Sequence, residues 1–273
     1  MSISTRAETV AAPKRAATRR RNPLAVAWPH VLVILGALAI AQLVSGRFVS
    51  KLVIPSPSSI VTSGIAWIES GYLLGHTIST LIALFAGFAI GAVLSFFVAV
   101  LFVEIPRLGR FGEPYVLALS VVPAIALVPL FVVWLGLGLE TKIVMGAFAT
   151  FFAMFVVAYD GLKNTDAKLL ELSRILGASR WQKLVKFRLW AAVPFFISGA
   201  KLALPKAALA VIVAEYLAGN SGLGFAILRA GNLLDVGGLF VGIITLTVLI
   251  HLLSLTIIGI ERALLGWIPK EKK

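Results

Sequence analysis

The chain has 273 residues, 59% hydrophobic and 14% charged, where an ordinary soluble domain carries about a quarter charged residues. That balance excludes a water-soluble domain and makes lipid the expected surroundings. The net charge of +13 follows the apolar segments rather than forming one basic face, so no nucleic-acid partner is expected. Cysteine is absent and the three histidines, His30, His76 and His251, are scattered, which excludes disulfides and thiolate metal sites and gives no metal centre.

A basic tail over 1–24, ending in Arg19, Arg20 and Arg21, precedes the first apolar run and lacks a small-residue cleavage site; it reads as a disordered cytoplasmic tail. Apolar runs follow at 25–44, 73–103, 115–135, 143–159, 191–217 and 239–260, and a crossing takes roughly 17–25 residues. Six spans and an all-α membrane protein are expected. Between the first two runs, Ser56 and Pro57 start a short interfacial helix that Gly71 ends. The third run holds Pro123 and Pro129 and ends near Trp134. Its proline breaks are tolerated where protein or a water-filled cavity lies alongside, so it is expected to line a path. Lys and Arg number nineteen in the tails and the loops after spans two and four, against four (Arg47, Lys51, Lys142, Arg229) on the other side. Both termini are therefore expected in the cytoplasm. A second basic tail covers 266–273, leaving 25–265 as one membrane domain.

The stretch 160–190 departs from its greasy neighbours. Asp166 is placed to cap a helix bearing Leu169, Leu170, Ser173 and Leu176; Gly177 suits a left-handed terminus, and Ser179 starts a second helix. Two short helices of this kind need a surface to lie on. In the fifth run, Lys206 and Glu215 are nine residues apart, on opposite faces of a straight helix. Lys206 is read as facing a translocation path, with Glu215 nearer an external gate. A loop is expected over 222–238.

Glu171, Leu172 and Ser173 followed by Gly177, together with "IPSP" at 54–57, "VVPAIALVPLFVVWLGLG" at 121–138 and "AEYLAGNSGLGF" at 214–225, resemble the permease subunits of bacterial ABC importers of the sulfonate/taurine/nitrate type. The departures are Leu172 and Ser173 in place of the loop's two alanines, and Trp190 where a proline is usual. The resemblance implies a type I importer bundle in the bacterial cytoplasmic membrane. It implies a second permease subunit in a homodimer, two cytoplasmic ABC ATPases holding ATP and Mg, and a periplasmic or lipid-anchored solute-binding protein. It also implies that Glu171, Leu172, Ser173, Leu176, Gly177 and Ala178 dock the ATPase and that this chain carries no cofactor. Independently, no G-x-x-x-x-G-K-[ST] phosphate loop occurs in the sequence. The expected function is ATP-driven import of a small anionic organic or inorganic solute, without enzymatic activity in this chain. Two alternatives are an ion-gradient transporter using Lys201, Lys206 and Glu215, and a rhomboid-like protease pairing Ser221 with His251.

Overall fold

The computed structural model describes residues 23–50 and 52–266; both basic tails lie outside these apart from their inner ends. In chain order the helices are α1 (Pro23–Val44), α2 (Pro57–Glu69), α3 (Tyr72–Glu104), α4 (Pro106–Ser120), α5 (Val128–Leu135), α6 (Leu139–Lys163), α7 (Ala167–Ile175), α8 (Arg180–Lys183), α9 (Leu189–Ala218), α10 (Leu223–Asn232) and α11 (Val236–Leu264). A 3-10 turn, Ala124–Leu127, precedes α5, and a π-helical stretch, Leu184–Arg188, joins α8 to α9.

Local chemistry sets many of these boundaries. Ser56 accepts the Ser59 N–H at the start of α2, with Pro57 in the first turn where its missing N–H costs nothing. Gly71, at φ 71°, reverses the chain into α3. Among the described residues, four helices are long and apolar enough to cross a membrane: α3, α6, α9 with its α8 extension, and α11. The expected third span is not a single helix: α4 and the turn leading into α5 form a pair bent by 89°. Pro123, extended at φ −62°, ψ 115°, supplies no N–H to the preceding turn and disfavours helical geometry at Val122. The same pair turns the expected loop bearing Arg107 and Arg110 into helix α4. The six-span count thus rests on taking this bent pair as one crossing and α1 as another.

α3, α6 and α9 form the central layer. α3 and α6 meet through small residues: a Cβ on Gly91 would lie 2.4 Å from the Ala147 carbonyl oxygen, so any side chain there would force the backbones apart. Toward one end, Phe102, Phe155 and Tyr159 make an aromatic core, the last two stacked at 5.4 Å. There Glu113 of α4 accepts from Tyr159 and pairs with Lys163, and Arg188 pairs with Glu104 at 2.9 Å. α11 packs on α2, α9 and α10 with most of its surface outward, as suits a helix facing lipid or another subunit.

Candidate functional site

The 160–190 segment folds as an elbow. Asp166 accepts the Lys168 N–H at 2.8 Å to start α7, and Ser179 and Gln182 form a reciprocal capping box at the start of α8. Between them Gly177 sits at φ 63°, a conformation that costs any residue with a Cβ roughly 1–2 kcal/mol. The helix that begins at α8 does not stop as a short element. It runs from Arg180 to Ala218 as one 39-residue helix, so the elbow's second arm is continuous with α9.

Leu172, Ile175, Leu176 and Trp181 are large apolar side chains left exposed here, Ile175 by 77% and Trp181 by 72%. Glu171 and Gly177 are also exposed, while Ala178 is half-buried. Ser173 differs from the expected docking set. It is fully buried and donates to the Leu170 carbonyl at 2.6 Å, because α7 lays one side on the Leu184–Arg188 stretch and a small residue fits between them. Ile175 and Trp181 join the exposed patch; their apolar character beside the glycine was the available signal.

A second feature is a cavity of about 470 Å³ between the 3-10 turn, α6 and α9, lined by Pro123, Phe148, Phe152 and Lys206 among others. Lys206 is the one charged residue in its lining among the described residues. Pro129 and Trp134 are exposed but lie outside that lining. Neighbouring Lys201 is ion-paired with Glu261 of α11, which leaves Lys206 as the cation offered to the cavity.

Glu215 is elsewhere. It is fully buried and accepts from Thr80 Oγ1 at 2.8 Å and from the Gly224 N–H at 2.9 Å. The same Thr80 hydroxyl accepts the Leu223 N–H, and His76 Nδ1 accepts the Gly222 N–H at 2.9 Å. Lys142, 1% exposed, donates to Ser79 Oγ, Ser221 Oγ and the Ser221 carbonyl at 3.0–3.2 Å. These contacts clasp the 219–224 segment onto α3, α6 and α9. Gly222, at φ 105°, leaves no room for a Cβ, which would fall 1.9 Å from Glu215 Oε1. Lys142 was expected in an external loop, yet it belongs to α6 and is buried. The residues 222–238 were expected as a loop and contain α10, whose first turn the clasp holds.

The family model described as "Binding-protein-dependent transport system inner membrane component" matches residues 91–265. The chain belongs to this family. Among curated relatives, it is 33% identical to a Bacillus subtilis protein described as an aliphatic sulfonates transport permease, SsuC, over 84% of either chain. It is 32% identical to the formylaminopyrimidine transport permease ThiX of Halalkalibacterium halodurans, over 84% of this chain and 91% of the relative. Among solved structures, the inward-facing MetNI methionine ABC transporter matches with a TM-score of 0.61 at 23% identity, covering 71% of this chain and 95% of that one; this likeness speaks for the fold. The chain is therefore a pore-forming permease subunit of an ATP-driven importer, a multi-pass membrane protein and a non-catalytic subunit. In the permease Ser221 is bonded to Ser79, Lys142 and Asn220, and His251 lies exposed on α11, so the proposed protease pair is not assembled.

Proposed function

We propose that this permease carries a small anionic solute past Lys206, with the elbow at 171–178 and Trp181 seated in a groove of a cytoplasmic ATPase. Two copies form the translocation path, two ATPases that bind ATP and Mg lie beneath, and an external binding protein delivers the solute. Both termini are cytoplasmic in a six-span arrangement, in line with the charge bias of the loops. The observation that carries the solute reading is that Lys206 is the single cation, among the described residues, lining a largely apolar cavity. A lysine inside the bilayer costs about 2.5–3.5 kcal/mol on insertion scales, and that cost is offset when a negatively charged solute or water meets it. Relatives named for sulfonate transport agree with an anion; another relative is named for formylaminopyrimidine transport. Two copies fit because Ile125, Val133, Trp134 and Leu137, close to this cavity in sequence, are all strongly exposed. One bundle leaves the cavity open on its side, and a two-fold related copy closes it.

The test is Lys206→Met, which keeps length and removes charge. Uptake of the cognate anion by the reconstituted importer is expected to fall at least about tenfold, the loss of one charge-assisted contact. ATPase assembly should be unchanged. Unaltered rate and affinity would remove Lys206 from the path.

A further inference from the structure

A second cavity, of about 520 Å³, lies at the other end of the bundle and shares no lining residue with the first. Its walls come from the α2–α3 turn, the start of α3, α10 and the α10–α11 turn, and include Trp67, Tyr72, His76, Ser221, Arg229 and Asp235. α3 begins beside it and ends at Glu104, which pairs with Arg188 near the elbow. The two ends of a 33-residue helix are about 50 Å apart, so this cavity opens on the face opposite the elbow.

Its polar groups are pre-set. His76 uses Nδ1 to accept the Gly222 N–H, so the neutral imidazole carries its proton on Nε2, which has no partner among the described residues. Ser221 is fixed by Lys142 and Ser79, so the buried clasp holds this wall in place. Arg229 forms no ion pair or side-chain hydrogen bond among the described residues. Asp235 gives one carboxylate oxygen to the Gly238 N–H as the cap of α11 and keeps the other. Trp67 and Tyr72 pack edge-to-face at 4.9 Å, and Tyr72 and His76 at 4.2 Å; each such contact covers one face of one ring, and an organic cation would use a remaining face.

We infer that this outer cavity is a binding site for a small zwitterion. Its acid group meets Arg229 and the His76 Nε2–H, and its ammonium meets Asp235 and the aromatic faces. Arg229 is exposed and Asp235 half-buried, so the selection comes from engagement: a ligand with both charges meets both side chains at once, whereas a ligand with one charge meets only one of them. The site is separate from the Lys206 path and does not depend on what that path carries.

Calorimetric titration of the full-length chain in lipid nanodiscs with β-alanine, propionate and propylamine tests this. β-Alanine is expected to bind saturably and the two single-charge probes at least about tenfold more weakly. Arg229→Gln should weaken β-alanine binding by about tenfold or more. Asp235→Asn should do the same while keeping the cap of α11, since asparagine also accepts the Gly238 N–H. Lys206→Met should leave binding unchanged. Propionate binding as tightly as β-alanine would overturn the zwitterion assignment. Absence of β-alanine binding, indifference to Arg229→Gln, or loss of binding in Lys206→Met would overturn the site.

Discussion

Among the described residues, Lys142 and Glu215 are the two charged-type side chains buried most completely, and neither forms an ion pair there. Each is held by hydroxyls and backbone groups of the 219–224 turn and α3, so the clasp behaves as one polar network in which every member satisfies another. Glu215→Ala would orphan the Gly224 N–H and remove the acceptor for Thr80. A loss of about 1–3 kcal/mol per orphaned group is expected, read as an earlier thermal unfolding midpoint in detergent. Glu215→Gln keeps an acceptor and should lose less; equal losses in the two variants would contradict the network. This network was hard to see in the sequence. Glu215 and Lys142 are 73 positions apart in number, and Lys142 stands just before an apolar run, where a cation ordinarily snorkels to the interface. Only the length of α6, which begins at Leu139, draws it inside. The remaining signal was that an acid and a base at span ends must find partners.

At the scale of elements, the elbow was the most legible part, because its stops and starts are written in single residues. Asp166, Gly177 and Ser179 are found doing the jobs their chemistry allows. Less legible was its continuity. Nothing in "SRWQKLVKFRLW" marks an end or a continuation, and a π-helical stretch carries the backbone through without a cap. The consequence is continuity: the elbow's second arm and the cavity-lining α9 belong to one helix. Gly177→Pro cannot hold φ 63°, since proline is confined near −65°; it should uncouple ATP hydrolysis from uptake. Leu176→Glu places a charge in the exposed apolar patch and should release the ATPase on gel filtration while the permease still inserts. Full coupling in both variants would contradict docking at the elbow. In the third run the proline breaks were legible but the size of the bend was not: the chain turns by 89° at Pro123, beside the cavity that this residue lines.

For the whole molecule, charge distribution and hydropathy made the class readable, and the quoted motifs made the family readable, since both depend on local composition. The arrangement around the path depends on which faces remain unpartnered, and that emerges only when α3, α6 and α9 have packed. Exposed Val133, Trp134 and Leu137 are then explained by a second copy or by lipid. The measurement that bears most directly on the account is solute uptake into proteoliposomes containing the permease with its co-purified ATPase and binding protein. Uptake is expected to require ATP, magnesium and the binding protein together, and to persist when ion gradients are collapsed. Uptake driven by an ion gradient in the permease alone, without ATP, would contradict it.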